Sequence, residues 1–119
     1  MSFDSRENVR TYKTETAIVK GTFVKFGTDD ESVVTCGANE DMIGVAQDDA
    51  DDATCVEVAK AGSGAVLLLG ATLARGVFVK SDANGKAVAA GTARTGAMVA
   101  ESGILDDLVG CEVMLFQQA

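Results

Sequence analysis

Ala17-Ile18-Val19-Lys20-Gly21-Thr22-Phe23-Val24-Lys25 returns without a gap, 55 residues later, as Thr72-Leu73-Ala74-Arg75-Gly76-Val77-Phe78-Val79-Lys80. Both stretches carry the letters Gly-x-Phe-Val-Lys, and both are rich in residues that favour short strands. Alternation along a strand puts Phe23 and Lys25 on one face with Val24 on the other, and likewise Phe78 and Lys80 against Val79. Phe23 and Phe78 are the expected core anchors, each lysine reaching solvent from its strand end.

Three more echoes follow in the same order. Ser32-Val33-Val34-Thr35-Cys36-Gly37 corresponds to Lys86-Ala87-Val88-Ala89-Ala90-Gly91 at an offset of 54, and Gly44-Val45-Ala46-Gln47 to Met98-Val99-Ala100-Glu101 at the same offset. Glu57-Val58 is echoed by Glu112-Val113 at 55. Two copies are too few to stack as a solenoid. The halves, about 17–58 and 72–113, are expected to close on each other as one small β-barrel or β-sandwich, an all-β domain over residues 16–119.

Outward from the repeat, β-branched runs recur every eight to twelve residues between Gly, Asp and Asn, the spacing of all-β folds. Strands are expected near Ala17–Lys20, Thr22–Phe26, Ser32–Cys36, Met42–Ala46, Thr54–Lys60, Ala65–Leu69, Val77–Lys80, Ala87–Ala90, Ala97–Ala100 and Gly110–Phe116. Ser81-Asp82-Ala83-Asn84-Gly85 reads as a tight hairpin turn, because Asn-Gly tolerates positive φ. Ile104-Leu105-Asp106-Asp107-Leu108 reads as a connector.

Residues 1–15 lack this pattern. Phe3, Val9 and Tyr12 stand as isolated large side chains among polar ones, which predicts an extended N-terminal arm outside the core. Residues 1–28 hold five basic and three acidic side chains, whereas residues 29–57 hold ten acidic and no basic one. Phe3 and Tyr12 are the arm's candidate apolar anchors, and Arg6, Arg10 and Lys13 its candidate contacts to an acidic partner surface.

The 119 residues carry a formal charge of −8, which repels a phosphate backbone and argues against nucleic-acid binding. There is no His, so the commonest general base and metal ligand are missing. Cys36, Cys55 and Cys111 form no CxxC pair and read as buried free thiols. The opening MSFDSRENVR has no apolar core of a signal peptide, and no window has the eighteen uninterrupted apolar residues of a membrane span. Neither secretion nor a membrane partner is expected.

Asp48-Asp49-Ala50-Asp51-Asp52 is the densest carboxylate run and the one candidate for a hard cation. It lacks the central Gly and the terminal Glu of an EF-hand loop, so the solvated turn is the preferred reading and no metal or other cofactor is expected. The rival reading is a small ligand- or metal-binding β-barrel that uses this acidic loop. No Gly-rich phosphate loop and no nucleophile–base pair is encoded, which leaves a binding or structural protein rather than an enzyme.

Gly21-Thr22-Phe23-Val24, then Ile43-Gly44-Val45-Ala46-Gln47-Asp48-Asp49-Ala50, then Gly76-Val77-Phe78-Val79-Lys80-Ser81-Asp82-Ala83-Asn84-Gly85-Lys86-Ala87-Val88 stand in the order of another pattern. In it the chain resembles the capsid decoration (cement) proteins of tailed bacteriophages, from Ala17 to about Phe116. The resemblance implies a structural virion protein on the outer surface of an expanded capsid. It further implies contact with the major capsid protein, a homotrimer on the shell with a terminal arm laid on it, and no catalysis. Such a protein is made in the host bacterial cytoplasm.

Overall fold

Val9–Thr14, the second half of the expected arm, is a strand. The computed structural model describes residues 9–29, 31–38, 40, 42–90 and 94–117, and its elements are all strands. They are β1 (Val9–Thr14), β2 (Phe23–Phe26), β3 (Ser32–Thr35), β4 (Gly44–Ala46), β5 (Cys55–Ala59), β6 (Gly64–Leu68), β7 (Phe78–Ser81), β8 (Ala87–Ala89), β9 (Arg94–Val99) and β10 (Leu108–Gln117). The arm reading is corrected for residues 9–14: β1 pairs antiparallel with β5 from Val9↔Ala59 to Lys13↔Cys55, and parallel with β3 at Lys13↔Ser32 and Thr14↔Val33. Phe3 and Arg6 lie outside the described residues.

Those two pairings close β1-β3-β2-β4-β5 into a five-stranded barrel. The second sheet has the order β6-β10-β9-β7-β8. Traced from β1 through β5, the barrel runs β1-β5-β4-β2-β3, so each strand of the second sheet holds the place of the strand five earlier. The parallel contact that closes the barrel has a single counterpart in the second sheet, the bridge Leu69↔Ala87. The shared order includes β1 and β6, which lie outside the ranges 17–58 and 72–113.

The entry into each sheet is also alike. Ala17–Lys20 is no strand; Ile18 makes one bridge to Ala50, as Leu73 does to Gly103, before the chain turns at Gly21 (φ 83°) and Gly76 (φ 88°). Only glycine takes such φ values without strain. The Ser81–Gly85 hairpin turn joins β7 to β8, with Gly85 at φ 81° and the Asp82 carboxylate accepting the Asn84 and Lys86 amides at 2.7 and 3.0 Å.

Two apolar clusters hold the fold together. Tyr12, Ile18, Val24, Val33, Ala46, Val56 and Val58 fill the barrel. The larger one joins Phe23, Cys36, Met42, Val45 and Ala59, on the barrel's outer face, to Leu67, Leu69, Val79, Ala97, Val99, Val109 and Val113 of the second sheet. The inner face of that sheet is thus occupied by the barrel wall.

This layering separates two residues with the same local sequence. Phe23 is fully buried, because the second sheet covers the outer face of β2. Phe78, expected as the matching anchor, is 38% exposed while Val79 is fully buried. The core-anchor reading of Phe78 is therefore corrected: its face of β7 has no third layer over it, and Val79 supplies the core contact.

Candidate functional site

Of the basic residues expected to contact a partner, Arg10 and Lys13 both lie on β1. Arg10, Tyr12 and Thr14 share a strand face by alternation, and Tyr12 and Thr14 point into the barrel with 3% exposure each. Tyr12 is thus no free apolar anchor; its ring is part of the barrel core. Arg10, nearer the start of β1, stays exposed with its guanidinium 5.4 Å from the Tyr12 ring centre. From beyond β5, Lys60 places its ammonium 5.8 Å from the same ring and donates to the Tyr12 hydroxyl at 3.2 Å. Phe26 meets the ring edge-on at 6.1 Å and is 49% exposed.

The result is a rigid tyrosine with two cations and an exposed aromatic around it. Cation–π contact holds both Arg10 and Lys60 at the ring in spite of their like charge. Among the described residues neither of them pairs with a carboxylate, in a chain where acids outnumber bases. Lys13 is exposed on the opposite face of β1 and borders an open hollow lined by Arg10, Thr11, Tyr12, Glu31 and Cys55. Sequence reading singled out Arg10, Tyr12 and Lys13 but missed Lys60, which approaches Tyr12 only when β1 pairs with β5, and Phe26, which does so only when β3 joins β1 to β2.

Two other lysines are engaged with carboxylates. Lys25 binds Glu40 at 2.7 Å, which holds the lysine above its ordinary pKa. The Lys25 hydrogen bond and, next, the Gly37 amide hold the Glu40 carboxyl below the usual range. Lys86 binds Asp106 at 2.8 Å and is raised by that hydrogen bond.

The acidic run Asp48–Asp52 does not converge. Asp49 is used locally, accepting the Lys20 amide at 2.8 Å, and among the described residues no three His, Cys, Asp or Glu side chains gather as metal ligands. The rival reading of a ligand- or metal-binding barrel finds no support there. Of the thiols, Cys36 and Cys111 are buried, and Cys55 is exposed, which corrects the reading of all three as buried. Burial pushes the Cys111 thiol up to about 12, and the Glu112 charge adds to it.

A family model described as phage cement protein matches residues 4–108. Among solved structures, the chain is similar to the N base of the head fiber gp8.5 of bacteriophage phi29. The TM-score is 0.72 at 15% identity, over 88% of this chain and 92% of that one. At that identity the likeness is one of fold. No curated protein matches.

Proposed function

The chain belongs to the phage cement protein family, and from that premise we propose that it is a decoration protein on the outer surface of a phage head. Its role is structural and capsid-associated; the finer reading is that it binds the major capsid protein, assembles as a homotrimer on the shell and stabilises it. It is made in the cytoplasm of the host bacterium and acts in the virion, without catalysis. The observation that carries this reading is the family match over residues 4–108, which spans the barrel and most of the second sheet.

Several features support the finer reading. Shell binding gains from many repeated contacts in a symmetric lattice, so it needs surface and not a deep pocket. The second sheet leaves the short edge strand β8 beside its partner β7, a site for contact between copies. Residues 1–8, which include Phe3 and Arg6, precede β1 and, with Arg10, Lys13 and Lys60, supply cations for an acidic surface of the shell.

The test is to mix purified protein with heads of the parent phage assembled without it, and to image the product. Density on the outer surface in trimeric units supports the reading, and bare heads at saturating protein overturn it. Binding that weakens in part as salt is added supports the ionic contribution, since exposed charges are screened over about 8–10 Å at ordinary ionic strength.

A further inference from the structure

Two turns hold the same place in the two sheets and differ in chemistry. In the barrel, the Ala53 amide donates to the Thr14 carbonyl at 3.0 Å and the Thr14 amide to the Thr54 carbonyl at 2.9 Å. In the second sheet, Asp106 donates to Leu69 at 2.8 Å and Leu69 to Asp107 at 2.9 Å. Ala53 and Asp106 are the two described non-glycine residues with positive φ, at 57° and 68°. Asp51 and Asp52 of one turn therefore match Ile104 and Leu105 of the other.

The fold leaves this position in solvent and accepts aspartates there. Yet Ile104 is 61% and Leu105 56% exposed, and Leu108, just beyond, is 49% exposed. Three exposed aliphatic side chains within five residues form an apolar surface beyond what the fold covers, and such a surface marks a site of association. The turn is also held stiff. Asp107 accepts the Ile104 amide at 2.9 Å, Lys86 clamps Asp106 at 2.8 Å, and Leu108 lies against Gly21, where an added Cβ would stand 2.9 Å from its Cδ2. A preformed contact surface loses little freedom on binding.

We propose that the Ile104–Leu108 turn is the face that seats on the phage shell, received by an apolar spot edged with lysine or arginine. Charge complementarity chooses this occupant. Asp107, the exposed Glu101 and Asp106, the last paired with Lys86, edge the aliphatic residues; a twofold contact between copies would set these acids against themselves and a threefold one against another face of a chain of net charge −8, while a cation-edged surface neutralises them.

The inference rests on the head-binding reading above, and the experiment separates the two. The double variant Ile104→Asp and Leu105→Asp copies the barrel's own turn and is expected to fold with an unchanged melting midpoint and light-scattering size. In co-sedimentation with heads lacking the protein it should bind about tenfold more weakly or worse, the scale for removing buried aliphatic side chains. Wild-type protein that does not bind heads overturns both readings. A variant that binds like wild type, or one that loses self-association, overturns this one alone. Hydroxyl-radical footprinting of wild-type protein on heads decides the matter even if the variant misfolds: protection of Ile104, Leu105 and Leu108 supports the seat, and full reactivity overturns it.

Discussion

A Cβ on Gly96 would lie 2.6 Å from Cε1 of Phe23, so the barrel's phenylalanine rests directly on the backbone of β9 in the second sheet. This contact locks the two sheets together, and it requires both a large ring and an absent side chain. Phe23→Ala is expected to cost about 3–5 kcal/mol, and Gly96→Ala about 1–3 kcal/mol by overpacking. Phe78→Ala, at the matching place in β7, should cost about 1 kcal/mol or less. Urea unfolding of the three variants checks the order, and equal losses for Phe23 and Phe78 would refute the layering.

Truncation separates the strand from what precedes it. Removing residues 1–14 takes away β1, leaves β3 and β5 as open edges and removes Tyr12 from the barrel; that protein should aggregate or melt far below the full chain. Removing residues 1–8 leaves every described strand in place, and its melting midpoint should match the parent by circular dichroism. If the contribution to head binding proposed for Phe3 and Arg6 is right, the shorter truncation weakens co-sedimentation with heads without changing that midpoint.

The thiols report burial. Of Cys36, Cys55 and Cys111, only Cys55 is exposed, so a colorimetric thiol reagent should titrate one group in the native protein and three in denaturant. Two fast groups in the native state would contradict the packing of Cys36 or Cys111.

Cys111 also gives stability a dependence on alkaline pH. Its folded pKa of about 12 stands above the ordinary 9.0, so the folded state holds the proton more tightly than the unfolded chain. Its contribution is complete below 9.0 and is lost progressively as pH rises from there through about 12. Urea midpoints measured across that window should fall more steeply for wild type than for Cys111→Ala, which removes this group while leaving the lysines to titrate in both.

Backbone strain at Ala53 offers a stabilising change. Its φ of 57° crowds a Cβ that glycine lacks. Relief of that strain exceeds the extra freedom glycine has in the unfolded chain, so Ala53→Gly should raise stability by about 0.5–1 kcal/mol. A lower melting midpoint for this variant would show that the turn is not strained.

Much of the fold was legible because its signals are local. Strand-forming runs and the turn that ends at Gly85 depend on residues close in sequence, and the echoes at offsets of 54 and 55 fall on strands that hold matching places in the two sheets. The candidate site was half legible. Arg10 and Lys13 stood out by charge, but Lys60 and Phe26 became their neighbours only through strand pairing. Ile104-Leu105 read as part of a connector, since a turn's exposure cannot be judged from its letters.

The sequence by itself determined an all-β chain, the places of most strands and an excess of acidic over basic side chains. The tertiary structure decided which faces are covered. Val9–Thr14 reads as polar arm, yet becomes a barrel strand because Tyr12 and Thr14, two residues apart, turn inward where β3 and β5 meet it. Phe23 and Phe78 sit in the same Gly-x-Phe-Val-Lys letters, yet one is in the core and the other on the surface. Local sequence sets the side of the strand a residue occupies, but burial depends on whether another layer lies over that side, and of the sides that carry Phe23 and Phe78 only the former has one.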